Sequence, residues 1–147
     1  MKKAKDKAVG ESVGFLMADV SRLMRKSFEE LLEGSSLTLA QARALFYLSR
    51  QEGIRQVVLA EILEVQPITL ARLIDQLQAE GLVERRPDPN DRRAYQLFLT
   101  KKAQPHLDAI ESVTAMLRPV VLDDVTAAEA EITIATLNKM RLNLSKR

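Results

Sequence analysis

The sequence predicts a mainly α-helical chain that carries one small β-hairpin, and three observations in its 147 residues predict it. Apolar residues recur at three- and four-residue spacing over most of the length, as helices that bury one face require. Only one stretch, residues 82–100, switches to the alternation of strands, with a turn-rich segment in its middle. Aromatic residues are 4% of the chain and Trp is absent, so the core rests on Leu, Ile, Val, Ala and Met.

Residues 1–11 read as a frayed basic arm, with Lys2, Lys3, Lys5 and Lys7 against Asp6. From Ser12, the positions Val13, Leu16, Met17, Val20, Leu23, Met24, Phe28, Leu31 and Leu32 keep helical spacing for about six turns. Gly34-Ser35-Ser36 ends that helix. Thr38 and Gln41 form a capping box, in which each side chain satisfies the other residue's backbone N–H. The helix it opens places Ala42, Leu45, Phe46, Leu48 and Ser49 on one face and stops before Gly53. A third helix is expected over residues 54–63, with Val58, Leu59, Ile62 and Leu63 inward. Glu64-Val65 is then a turn.

Gln66-Pro67 opens the fourth helix, since proline suits a first helical position whose N–H would be unpaired anyway. Leu70, Leu73, Ile74 and Leu77 form its apolar stripe, and Gly81 stands where a left-handed terminating residue is expected. Leu82-Val83 begins a strand, Pro87-Asp88-Pro89-Asn90-Asp91 is dense in turn formers, and Tyr95, Leu97 and Leu99 alternate along a second strand. Thr100 caps a helix over 101–118 with Leu107, Ile110, Val113, Thr114 and Leu117 inward. Pro105 is tolerable in its first turns, and Pro119 is expected to break it. Thr126 and Glu129 form a second capping box before a last helix carrying Ile132, Ile134, Ala135, Leu137, Met140 and Leu144.

Two short helices joined by a tight turn and followed by a hairpin with arginines at its tip make a winged helix-turn-helix, a layout that reads duplex DNA. Residues 37–102 are assigned to this lobe. The helices over 12–36 and 103–147 exceed what such a lobe needs, and their apolar stripes must bury against something. A second copy of the chain is the economical partner; a larger monomeric core is the alternative.

Net charge is only +2, but its distribution is uneven: residues 81–102 hold six basic and three acidic side chains, whereas residues 103–138 hold one basic and six acidic. A basic wing on an acidic body would be oriented by a polyanion. Cysteine is absent and His106 is the one histidine, which leaves no thiolate nucleophile, no nucleophile–base pair of the common kinds and a poor transition-metal site. Five glycines include no phosphate-binding loop. Neither an enzyme nor a cofactor protein is expected, and no apolar run reaches the roughly 20 residues of a membrane span. The expected location is the cytoplasm, at the nucleoid. The competing function is a winged-helix dimer that binds protein and not DNA.

Asp91-Arg92-Arg93-Ala94-Tyr95-Gln96-Leu97-Phe98-Leu99-Thr100 matches the pattern D-x-R-x-x-x-L-x-L-T, the wing signature of the MarR/SlyA family of bacterial transcriptional regulators. Leu37-Thr38, Gln41, Leu59-Ala60, 73–77, Gly81-Leu82-Val83 and Pro87-Asp88-Pro89 resemble the family pattern in the right order, and the resemblance spans roughly residues 12–145. Two positions depart from it. Ala42 stands where an aromatic is frequent, and Arg55 replaces the usual Thr or Ser at the start of the third helix. The resemblance implies a homodimer on a pseudo-palindromic operator, most simply a repressor. In many members it is released by a small aromatic or phenolic ligand bound between the dimerisation region and the reading lobe.

On the reading helix, the exposed N-terminal side chains Gln66, Pro67, Ile68, Thr69 and Arg72 are the candidate base contacts. Gln suits adenine, Arg suits guanine, and the methyls of Thr and Ile suit thymine. The competing use of Arg72 is a surface pair with Asp75 or Gln76. Arg92 and Arg93 are the candidate minor-groove contacts; the family motif implies that Arg93 is the inserting one, with Asp91 orienting the wing arginines. Ser36, Thr38, Arg85, Arg86 and Lys101 are candidate phosphate contacts. Effector-binding residues are not assignable from sequence.

Overall fold

The computed structural model describes residues 1–147, the side chains of residues 8–11 excepted. Six helices and one hairpin follow in order: α1 (Lys2–Leu32), α2 (Leu39–Arg50), α3 (Gln56–Leu63), α4 (Pro67–Ala79), β1 (Val83–Pro87), β2 (Tyr95–Leu99), a 3-10 turn (Lys101–Ala103), α5 (Gln104–Val121) and α6 (Ala127–Ser145). The chain is thus mainly helical with a two-stranded antiparallel wing, the fold class its periodicity predicts.

The core sits in the lobe made by α2, α3, α4 and the hairpin. Leu45, Leu48, Leu59, Leu70, Ile74, Leu77 and Leu97 are fully buried there, and Ile110 and Val113 of α5 close it from one side. Thr38 caps α2 by accepting from Gln41 N at 3.2 Å while Gln41 Oε1 accepts from Thr38 N at 3.0 Å. Gly81, with φ +76°, ends α4 in a Schellman arrangement: its N–H donates to Gln78 O and that of Leu82 to Leu77 O. The strands then pair from Val83 opposite Leu99 to Pro87 opposite Tyr95.

Several expectations need correction. The first eleven residues are helical from Lys2, not a frayed arm; lysine and alanine are good helix formers, and nothing there breaks a helix before Gly10. Phe46 and Ser49 of α2 face out, and Gln41 and Ala44 are buried in their stead. The third helix begins at Gln56, because the backbone of Gly53 and Ile54 is bonded to the second wing strand instead. Gly53 N donates to Leu97 O at 2.8 Å and Leu97 N donates to Ile54 O at 2.9 Å, with Arg55 bridged to Gln96. Of its inward set, Val58 is exposed, and Ala60 is buried in addition to Leu59 and Leu63. Pro119 lies inside α5 and does not end it; so near the C-terminus it removes a single helical hydrogen bond.

α1 and α6 differ from the rest. A 31-residue helix is about 46 Å long, yet among its described residues α1 buries Leu32 alone, with Phe28 packed beside it against the core. α6 buries no side chain: Ile132 is 67% exposed, Ile134 60% and Leu144 72%. Among the described residues no helix is long and apolar enough to cross a membrane.

Candidate nucleic-acid interface

The helix-turn-helix is closed by Glu64, which takes the left-handed conformation (φ +55°) that glycine usually supplies at a helix end. That turn leads directly into α4. Gln66 is its N-cap and Pro67 its first residue. With Leu70, Ile74 and Leu77 buried, the opposite face carries Gln66, Pro67, Ile68, Thr69 and Arg72, all exposed. Among the described residues the Arg72 side chain has no hydrogen-bond or ion-pair partner; Asp75, its sequence-predicted competitor, is bonded to Arg85 at 2.6 Å.

The wing tip is a short loop between Asp88 and Ala94. Arg92 and Arg93 are exposed there, and neither guanidinium has a partner among the described residues. Asp91 acts on the loop's backbone: Oδ1 accepts from Arg93 N at 3.0 Å, and its carbonyl accepts from Ala94 N at 3.1 Å. It therefore shapes the turn that displays the arginines and holds neither guanidinium.

Arg85 is not displayed for phosphate. Its guanidinium lies against α4 and α3, donating to Asp75 Oδ1 at 2.6 Å, Gln78 Oε1 at 3.0 Å, Ala71 O at 3.0 Å and Gln56 Oε1 at 2.9 Å. Side chains alternate along a strand, so Arg85 turns to the helices while Arg86 turns away. Arg86 lies over the Phe98 ring, 3.9 Å from its centroid, and donates to Glu84 at 3.0 Å. Arg85 thereby ties the first wing strand to α4 with three bonds and to α3 with a fourth, and of the two strand arginines only Arg86 keeps an exposed face. Ser36 and Lys101 are exposed, and the Thr38 hydroxyl is engaged in the cap of α2.

Sequence reasoning did not find the inner partners of the wing. Asp88 is buried, and Arg55 Nε donates to its Oδ2 at 2.8 Å. Its carboxyl is held below the ordinary value of 3.8, first by the Asn90 N–H and then by the Arg55 guanidinium. Glu52 Oε1 accepts from Leu99 N at 2.9 Å. The one available signal was an acid set between two prolines, Pro87-Asp88-Pro89, in a loop where turn formers alone would suffice.

Two hollows adjoin the lobe. One, of about 270 Å³, lies between α2 and α4 and is lined by Arg43, Leu63, Thr69, Arg72 and Gln76 among others. The other, of about 580 Å³, opens between α1, α2, α5 and α6. Its lining includes Phe28, Ala42, Phe46, Tyr47, Leu117 and Leu137, with the cations Arg25 and Arg43. Ala42, the departure from the family's frequent aromatic, borders it.

Comparison with known proteins agrees with this geometry. The sequence profile of the MarR family matches residues 37–95. The crystal structure of a transcriptional regulator, PA3341, is 34% identical; the match covers 92% of this chain and 99% of that one, with a TM-score of 0.78. A MarR transcriptional regulator from Methanosarcina mazei Go1 is 25% identical over 93% of this chain and 99% of its own, at a TM-score of 0.76. A mutant E. coli MarR complexed with operator DNA is 27% identical over 88% and 93% of the two chains, at 0.70.

Proposed function

The chain belongs to the MarR family of transcriptional regulators, and from that premise we propose that it represses transcription by binding a pseudo-palindromic operator as a homodimer. The exposed start of α4, from Gln66 to Arg72, reads base edges in the major groove. Arg92 and Arg93 enter the adjacent minor groove, where narrowing concentrates negative potential. One observation carries this reading: the unpaired cations Arg72, Arg92 and Arg93 are displayed on two elements that Arg85 bolts together. The operator complex of the E. coli relative supports it.

The dimer accounts for the exposed apolar residues of α6 and the outer face of α1, which a soluble chain covers with a partner. The proposed dimerisation region is residues 12–36 and 103–147, and the proposed DNA lobe is 37–102. The apolar hollow between them, with three aromatic side chains and two arginines in its lining, suits a small aromatic or phenolic anion that releases the DNA. The protein would act in the cytoplasm, at the nucleoid.

Footprinting on the DNA upstream of the chain's own gene, followed by gel-shift titration at fixed salt, tests the proposal. Arg93→Ala is expected to weaken operator binding by about tenfold or more and to leave the dimer intact. Unchanged affinity would remove the wing from the mechanism, and no protected site on any duplex would favour a protein-binding module.

A further inference from the structure

Arg55 stands at the N-cap of α3 and caps nothing, since no side chain there accepts from the free N–H groups of the helix. Ser, Thr, Asp or Asn is favoured at such a position because a short side-chain oxygen satisfies one of those groups. The same chain uses that device twice, at Thr38 and Thr126. At α3 the side chain reaches 33 positions along the sequence to Asp88, with Nε 2.8 Å from Oδ2.

Asp88 forms the base of the wing loop. Its side chain is 2% exposed, and a carboxylate so enclosed requires charge and hydrogen-bond partners. Oδ1 accepts from Asn90 N at 2.8 Å, and its own N–H donates to Ala94 O at 3.0 Å. The loop from Asp88 to Ala94 is therefore closed at its root by the residue that Arg55 grips, and Arg92 and Arg93 are carried inside it.

We propose that Arg55 is a positioning residue of the wing, which through Asp88 holds the 88–94 loop in the conformation that aims Arg92 and Arg93 at DNA. This rests on the DNA-reading role proposed above for the wing. A loop ordered in advance loses less conformational freedom on binding, so the pair contributes to affinity without touching the duplex. The helix cap that a threonine would supply is forgone in exchange.

Full-length Arg55→Ser, Asp88→Asn and Arg93→Ala, each checked as folded by circular dichroism, are titrated on the footprinted operator at one salt concentration. Asp88→Asn is the decisive variant. It keeps an oxygen for Asn90 but removes a negative charge beside the DNA face, so simple electrostatics predicts tighter binding. Positioning predicts binding weakened by about three- to tenfold, as for Arg55→Ser. Added to the double variant Arg92→Ala/Arg93→Ala, Arg55→Ser should have little further effect, because it acts through those two side chains. If Arg55→Ser does not fold, the double variant with Asp88→Asn, which leaves no unpaired buried charge, replaces it and should show the same loss.

Tighter or unchanged binding by Asp88→Asn, with Arg93→Ala still weakened, overturns this proposal alone. So does full additivity of Arg55→Ser with the double variant Arg92→Ala/Arg93→Ala, which would make Arg55 a direct phosphate contact. Unchanged binding by Arg93→Ala overturns the wing's role and this inference with it.

Discussion

At the scale of the residue, Asp88 ties the wing to pH, since its carboxylate is enclosed and held by an N–H and a guanidinium. Its folded value lies below the ordinary 3.8, so its contribution to stability is complete above that value. That contribution is lost as pH falls through the lower folded one. We expect urea unfolding to show Asp88→Asn less stable than the parent at pH 7, with the gap narrowing progressively below about pH 4. A gap that stays constant down to pH 2.5 would mean that the carboxylate is not favoured in the folded state. Arginines divide in the same local way. Arg85, Arg86, Arg92 and Arg93 look alike in sequence, yet one is locked to helices, one lies on a ring and two are displayed. The displayed pair was legible because it sits at a turn, which must be at the surface. The fate of Arg85 was not, because its partners Asp75, Gln78 and Gln56 lie on helices that only the folded lobe brings to the strand.

At the scale of the element, helix ends were legible where a local cap forms, because such a cap is decided by residues three or four positions apart. Thr100 is the exception, since its hydroxyl donates to Gly81 O and caps no helix. Thr38, Thr126 and Gly81 all act as their chemistry predicts. Gly81→Ala forces a Cβ into the left-handed region, and equilibrium unfolding should record a loss of about 1–2 kcal/mol; a loss under about 0.3 kcal/mol would mean that the helix end relaxes freely. The start of α3 was misjudged for the opposite reason. Gly53 and Ile54 carry no local strand signal, and their pairing with Leu97 is a contact across more than 40 positions. Burial on α2 misled similarly: Phe46 is more hydrophobic than Ala44, but Ala44 faces the lobe and Phe46 faces the hollow beside α1.

At the scale of the whole molecule, the apolar pattern of α6 was legible while its burial was not, because the pattern says that a face must be covered and not by what. Two of its exposed isoleucines give the dimer its test. Ile132→Glu and Ile134→Glu, measured separately by sedimentation equilibrium, should raise the dimer dissociation constant by about tenfold or more for at least one of them. Two variants that associate like the parent would place the interface elsewhere. Affinity for the operator should also fall steeply with salt, by about 10³–10⁵-fold between 50 and 200 mM if the dimer neutralises six to ten phosphates. A shallow dependence would argue for a smaller footprint than two wings and two helices make.

The pairing of residues 53–55 with β2 has one further consequence, for aggregation. With that side of β2 occupied, β1 is left as the outer strand of the wing. It is five residues long, carries Glu84, Arg85 and Arg86, and ends on Pro87, which has no N–H to offer. Short length, charge and a terminal proline are the devices that keep a strand from recruiting another. The hairpin can thus stay exposed, as the DNA contact proposed for it requires, without recruiting a second strand. Neutral substitutions at Glu84 and Arg86 would turn the same hairpin into a template for strand addition.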